Sequence, residues 1–161
     1  MINIFLVAVS SLPNFSADPS LDRKSRAVEV RPHHQATIHI NCEHSQLIHD
    51  AYVDAVTGRW STRPVIEMTI PSVLDDSVAP KDAHVVQLFT QYTPYTLSGG
   101  RSWDDQTRNE YAETGLLHYT ISNKIHVECC VAVFDCRYFQ YSSVLKTIAL
   151  VSRLQLWVMK F

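Results

Sequence analysis

Glycine is scarce in this chain: 161 residues contain four glycines, Gly58, Gly99, Gly100 and Gly115. A dinucleotide site of the Rossmann type needs the spacing G-x-G-x-x-G, because its glycines let backbone N–H groups approach a pyrophosphate at a helix N-terminus. No combination of the four glycines gives that spacing. The sequence therefore carries no fingerprint of this kind.

Basic residues are not in excess either. Lys and Arg number 14 against 16 Asp and Glu, so the formal net charge is -2. Proteins that bind nucleic acid neutralise phosphates with clustered Lys and Arg, and the one basic cluster here, Asp22 to Arg26, is short and mixed in sign. We interpret it as a solvated loop and expect no nucleic-acid partner.

Long apolar runs are also absent. Lys146, Arg153 and Lys160 interrupt the apolar C-terminus, so no stretch reaches the roughly 18 uncharged residues of a membrane span. The apolar start from Met1 to Val9 lacks the basic region that opens a signal peptide. The sequence predicts an intracellular, soluble protein without a transmembrane segment.

Cysteine and histidine do not form a recognisable site. The four cysteines have no C-x-x-C spacing, and the histidines between residues 33 and 49 contain no paired-ligand motif. Nucleophilic catalysis by Cys42 or Cys136 needs a nearby base that no pattern indicates. The acidic pairs Asp75-Asp76 and Asp104-Asp105 are typical of turns and helix caps. We therefore predict no metal-binding, catalytic or cofactor-binding residue in this chain.

The first two thirds of the chain show alternating strand and helix patterns. Apolar alternation or β-branched runs predict strands at 3–9, 36–41, 65–70 and 84–92, the first buried and the last central in a sheet. Helices are predicted from Ser45, as the cap, to about Thr57, with Gly58 as the stop, and from the capping box Ser102-Trp-Asp-Asp105 to about Glu113. This order favours an α+β fold with a mixed or antiparallel sheet and helices on one face.

Beyond Gly115 the sequence changes character. It becomes crowded with apolar residues and contains no proline. Residues 124–139 fit one long strand or two short ones, and residues 143–161 fit a helix or a strand. The fold of this part is left open by the pattern.

Several segments, in order, resemble one known family. They are Phe5-Leu-Val-Ala-Val9, His39-Ile-Asn-Cys-Glu43, Arg63-Pro-Val-Ile-Glu67, Ile70-Pro-Ser72 and the run from His84 to Leu97, followed by Gly99-Gly100, Trp103-Asp104 and Tyr111-Ala112. The family is that of the phytoene desaturases and carotenoid-retinoid oxidoreductases. The resemblance extends from about Ile2 to Thr114.

The resemblance implies a flavin-dependent oxidoreductase that acts on a long apolar small molecule and, in animals, a mitochondrial location. FAD would be held by a Rossmann-type domain in the complete family member, whereas residues 1–114 would be part of the substrate domain. At Gly115 the chain departs from the family, whose continuation Val-Phe-Asp-Cys occurs here only at 133–136. Residues 115–161 are therefore treated as a divergent segment.

Aromatic residues flank the Gly99-Gly100 turn. Phe89, Tyr92, Tyr95 and Trp103 lie at the end of the predicted central strand and in the loop that follows. They are predicted to line a substrate cavity, with ordinary core packing as the alternative. The functional expectation is a substrate-domain fragment that binds no FAD and is inactive by itself, and the alternative is a non-enzymatic module that binds a protein partner.

Overall fold

A computed structural model gives the fold of the chain and describes residues 3–9, 11–13, 15, 29–123 and 130–134. Besides four short 3-10 helices, two α-helices and five strands make up this part. In chain order they are β1 (Asn3–Val9), β2 (Ile38–Ile40), α1 (Ser45–Val56), β3 (Val65–Thr69), β4 (His84–Gln91), α2 (Asp105–Asn123) and β5 (Cys130–Phe134). The predicted α+β class and the order of the first six elements are confirmed.

All five strands join one antiparallel sheet. The spatial order is β2-β3-β4-β1-β5. The β-branched and aromatic runs of β1 and β4 place both strands inside the sheet, where each has two neighbours. The predictions of a buried first strand and a more central β4 are therefore confirmed.

The ends of some elements differ from the prediction. β2 is shorter than residues 36–41, because Asn41 adopts a positive φ of 62° and its side-chain amide donates to the carbonyl oxygen of Pro64 at 2.9 Å. The cap of α1 is His44, which makes no side-chain capping bond, and Ser45 is already helical. The sequence pattern does not reveal the Asn41 bond, since Pro64 is distant along the chain.

The second helix is longer than predicted and begins with a different cap. The carboxylate of Asp104, and not Ser102, accepts a hydrogen bond from the backbone N–H of Thr107 at 2.8 Å. This bond lowers the pKa of Asp104. The helix continues past Glu113 to Asn123 and through Gly115, where a Cβ would lie 3.3 Å from the Phe5 ring.

The division predicted after Thr114 falls inside α2 and remains a prediction. Of the segment 124–139, the structure describes β5 at Cys130–Phe134. The rest of that segment, and all of residues 143–161, lie outside the described residues.

One face of the sheet, called here the first face, carries the hydrophobic core. Alternation along β1, β3 and β4 directs their apolar side chains to this side, and α2 adds Tyr111 and Ala112 to it. The core residues contributed by the strands are Phe5, Val7, Val9, Ile40, Ile66, Met68, Val86 and Leu88. The helix therefore covers the first face.

A chain of hydroxyl groups fixes α2 on this face. The Tyr111 hydroxyl donates to Thr90 Oγ1 at 2.9 Å, and Thr90 donates to the carbonyl oxygen of Asn3 at 3.1 Å. Tyr111 can then accept from Thr93, whose Oγ1 lies 2.8 Å away. All three side chains are buried, so each hydroxyl depends on these partners in place of water.

Tyr111→Phe is expected to destabilise the fold. It leaves the buried Thr93 hydroxyl without its acceptor, which costs about 1–3 kcal/mol of unfolding free energy. Urea denaturation of the full chain measures the change. Tyr95→Phe is the control, because Tyr95 is 78% exposed and its substitution should change stability by less than about 0.5 kcal/mol. Equal effects of the two substitutions would contradict the role of the hydroxyl chain.

A buried histidine ties the start of the chain to the loop before β2. Nδ1 of His34 accepts a hydrogen bond from the backbone N–H of Arg31 at 3.0 Å, so Nε2 carries the hydrogen and can donate to the carbonyl oxygen of Pro13 at 2.9 Å. The bond from Arg31 requires the neutral ring, because Nδ1 accepts it, whereas the bond to Pro13 is open to the protonated ring as well. Burial lowers the pKa of His34 from its usual 6.5, and nearby His33 and Arg31 lower it further.

The His34 contacts predict a loss of stability in mild acid. Because the folded-state pKa is below 6.5, the unfolded chain binds more protons as the pH falls below that value. The free energy of unfolding should therefore decrease between pH 6.5 and the lower folded-state pKa. His34→Gln should reduce this slope when denaturation is repeated across that range.

The control is His84→Gln, because burial also lowers the pKa of His84. This variant should keep the part of the slope that belongs to His34. An unchanged slope in His34→Gln would show that His34 does not govern the acid response.

Candidate functional site

The opposite side of the sheet, called here the second face, has a different character. The strand register places on it Ile4, Leu6 and Ala8 of β1, Val65, Glu67 and Thr69 of β3, Val85, Gln87, Phe89 and Gln91 of β4, and His39 of β2. Except for the buried Val65 and Val85 and the exposed His39, these residues are half-exposed. This face therefore combines apolar and polar groups that are accessible.

One row of side chains crosses four strands at the middle of the second face. Ile4 pairs with Phe89, Phe89 with Glu67, and Glu67 with His39. Residues opposite each other in an antiparallel pair have Cβ atoms within about 5.5 Å, so the row is continuous. Along the row, the apolar side chains of Ile4 and Phe89 are followed by the carboxylate of Glu67 and the imidazole of His39.

The polar half of the row is held by side-chain contacts. Gln91 Nε2 donates to Glu67 Oε1 at 2.5 Å, and His39 Nε2 lies 3.9 Å from the same oxygen. The second carboxylate oxygen of Glu67 receives no hydrogen bond from the described residues. This arrangement can orient a polar group of a ligand whose apolar body lies beside Phe89.

The four aromatic residues predicted to line a cavity are not gathered at one place. Phe89 is on the second face, whereas Trp103 packs against the core of the first face. Tyr92 follows β4 with a positive φ of 60°, and its ring meets Tyr52 of α1 edge-on at 6.2 Å. Tyr95 is 78% exposed. Cavity lining by these residues remains a prediction, which the geometry supports best for Phe89.

An aromatic cluster at the edge of the first face was not predicted as a unit. The rings of Trp60, Trp103 and Tyr111 lie pairwise 5.8 Å apart, and Phe5 is 5.6 Å from Tyr111. The indole N–H of Trp103 donates to the carbonyl oxygen of Pro94 at 3.2 Å. Trp60 lies in the loop between α1 and β3, where no periodic signal marks it for burial.

The acidic residues have the structural roles that the sequence indicated. Asp75 accepts a hydrogen bond from the backbone N–H of Ser77 at 2.9 Å, and Asp104 caps α2. Within the described ranges, no group of three His, Cys, Asp or Glu residues could hold a metal ion. Cys42 is a half-buried free thiol, whereas Cys136 lies outside the described residues.

The described residues do not fit the pyrophosphate of FAD. Gly99 and Gly100 form an exposed 3-10 turn with φ of 68° and 72°, but α2 begins five residues later behind the carboxylates of Asp104 and Asp105. Asp104 already occupies the N–H of Thr107, and two negative charges at this helix N-terminus repel a second anion. In the part of the chain that the structure describes, no helix is long and apolar enough to cross a membrane.

Comparison with known proteins gives a clear relation. The chain is 52% identical over 107 residues to pyridine nucleotide-disulfide oxidoreductase domain-containing protein 2 of Rattus norvegicus, and 50% identical over 107 residues to the protein of that name from Mus musculus. Each match covers 66% of this chain but 18% of the relative, so the chain spans less than a fifth of the length of these curated relatives. No family model and no solved structure matches it. Across 66% of its length the chain is therefore homologous to pyridine nucleotide-disulfide oxidoreductase domain-containing protein 2, which relates it to the oxidoreductases.

Proposed function

We propose that this chain is a substrate-domain portion of an FAD-dependent oxidoreductase of the phytoene desaturase-like family. The observation that carries the proposal is the two-sided sheet: one face is closed by α2, and the other presents accessible apolar and polar side chains. A segment homologous to 18% of a longer oxidoreductase-type protein is expected to contribute one wall of a site and not the whole site.

The second face suits a long apolar substrate. Ile4, Leu6 and Phe89 provide an apolar strip, and burial of such surface contributes about 25 cal/mol per Å² of contact. Glu67 and Gln91 stand at one end of this strip. A few convergent polar groups beside an apolar surface are what orients a ligand in most small-molecule sites.

The flavin is proposed to bind outside this segment. In the complete protein FAD would accept a hydride from a C–H bond of the substrate, and that chemistry belongs to the cofactor. The acidic start of α2 and the absence of the G-x-G-x-x-G spacing both support a chain that binds no FAD by itself. The resemblance further favours a mitochondrial location.

A second candidate function is a non-enzymatic module that binds a protein partner. The outer surface of α1 favours it, since Tyr52, Val53 and Val56 are 50%, 38% and 62% exposed. Exposed apolar residues grouped on one helix are typical of protein contacts. The partner would then contact α1, whereas the substrate proposal uses the second face of the sheet.

The purified chain is expected to retain no flavin. After incubation with excess FAD and gel filtration, the protein fraction should lack the visible absorbance of flavin, because the described residues offer no pyrophosphate site. The rat relative, purified in the same way, is the comparison. Stoichiometric flavin on this chain would overturn the assignment to a substrate domain.

The contribution of the second face is tested in a chimera. The matching 107-residue segment of the rat relative is replaced by the corresponding residues of this chain, and flavin content and flavin reduction by an apolar polyene are measured. Phe89→Asp should abolish reduction but leave the flavin bound, because a buried carboxylate beside an apolar substrate is costly. Leu74→Asp is the matched control and should change neither quantity, because Leu74 is 72% exposed and is not a residue of the second face.

Two results of the chimera experiment would contradict the proposal. Reduction that is unaffected by Phe89→Asp would show that the second face does not contact the substrate. A chimera that shows no polyene-dependent reduction of the flavin, but forms a stable complex in which another protein buries the exposed residues of α1, would favour the interaction module.

A further inference from the structure

A small pocket lies between the loop after α1 and the loop before α2. Its volume is about 200 Å³, and its lining residues are Gly58, Arg59, Trp60, Leu97, Ser98 and Arg101. Sites for drug-sized ligands usually measure about 300–1,000 Å³, so this pocket suits a smaller molecule. It lies beside the aromatic cluster of Trp60 and does not include the residues of the second face.

The pocket is built by a close approach of the two loops. The backbone N–H of Ser98 donates to the carbonyl oxygen of Gly58 at 2.9 Å. Gly58 has a φ of 78°, and a Cβ at this position would lie 2.7 Å from the Ser98 nitrogen. Only glycine allows both the backbone conformation and the contact, so the loops are held at a defined separation.

Two guanidinium groups line the pocket and keep donors available. Arg59 donates through Nη2 to Asp54 at 3.0 Å, and Arg101 donates through Nη2 to Glu110 and to Thr107. The Nε and Nη1 groups of both arginines make no hydrogen bond to the described residues. Arg presents five donors in a planar arrangement that matches a carboxylate. In both arginines Nη2 is already bonded, and the Nε and Nη1 donors are available to a ligand.

An aromatic and an aliphatic surface accompany these charges. The Arg101 guanidinium carbon lies 5.0 Å from the centre of the Trp60 ring, a cation–π distance that orients the guanidinium plane. Leu97, which is largely buried, supplies the aliphatic surface of the pocket. A ligand that enters therefore meets an indole and a leucine together with the unused donors of two arginines.

We propose that this pocket binds a small organic anion, a carboxylate carried on a flat apolar body. The carboxylate receives hydrogen bonds from Arg59 and Arg101, and the apolar body lies against Trp60 and Leu97. Asp54 and Glu110 remain paired with their arginines through Nη2 and offset the cost of holding two like charges together. This binding site is independent of the substrate role proposed for the second face.

Benzoate is the probe, and the indole N–H signal of Trp60 in a proton–nitrogen correlation spectrum of the full chain is the measurement. Trp60→Phe identifies that signal. Titration with benzoate at constant ionic strength should shift the signal to saturation. Benzamide has the same shape without the charge, and inorganic phosphate has charge without an apolar body, so both should bind at least about tenfold more weakly.

The arginines are tested by a matched pair of double variants. Arg59→Gln with Arg101→Gln should weaken benzoate binding about ten- to a hundredfold, since each lost bond is charge-assisted. Arg63→Gln with Arg108→Gln removes two other ion-paired arginines outside the pocket and should leave binding unchanged. If the first double variant does not fold, Arg59→Gln alone, at a side chain that is 60% exposed, should still weaken binding.

Three results would overturn the inference. They are a shift that stays linear in benzoate concentration, binding of benzamide or phosphate as tight as that of benzoate, and an equal loss of binding in both double variants. A saturable shift that needs Arg59 and Arg101 but not Arg63 and Arg108 supports it.

Discussion

The hydroxyl chain from Thr93 through Tyr111 and Thr90 to the Asn3 carbonyl is the contact on which the rest of the fold depends. It joins α2 to β4 and β1, two of the three inner strands of the sheet, at a single buried point. Burial raises the pKa of Tyr111, because the ionised phenol would lose its hydration, so the group stays a neutral donor. The same ring packs on Phe5 and Trp60, and the polar bonds and the aromatic packing therefore fix the helix together.

This attachment decides which side of the sheet is closed. Once α2 lies over the first face, Phe5, Leu88 and Met68 are buried, and their sequence neighbours Ile4 and Phe89 must point the other way. Because side chains alternate along each strand, the packing of one helix on the first face leaves the two faces of the sheet with different side chains. The second face owes its mixture of apolar and polar groups to this constraint.

Local patterns in the sequence are sufficient to predict the helices and strands but not where each of them begins and ends. The alternation of β3 and the continuous run of β4 predict both strands, and Gly58 with a φ of 78° ends α1 as expected. Residue type favours Ser45 over His44 as the cap of α1, although His44 is the observed cap, and it favours Ser102 and Asp104 equally as the cap of α2. The Asp104 bond to Thr107 is local, so residue type alone does not choose between two good cap candidates, whereas the end of β2 depends on the contact of Asn41 with distant Pro64.

Candidate site residues were harder to predict because the row on the second face is non-local. It joins Ile4 to Phe89 and Glu67 to His39, and only the strand order β2-β3-β4-β1 makes them neighbours. Aromatic character close to the Gly99-Gly100 turn marks Phe89 and Trp103 equally as candidates. The structure places Trp103 against the opposite face of the sheet. Residue type alone cannot separate the two, since the face of a strand residue depends on register and that of a loop residue on tertiary packing.

The glycines show how the same residue type serves different ends in one chain. Gly58 brings two loops into contact, and Gly115 lets the Phe5 ring approach α2. Neither leaves backbone N–H groups directed at a phosphate, and Asp104 occupies the helix start that follows Gly99 and Gly100. Every described glycine turn is therefore committed to packing or precedes an acidic cap, and this agrees with the proposal that the sheet serves the substrate side.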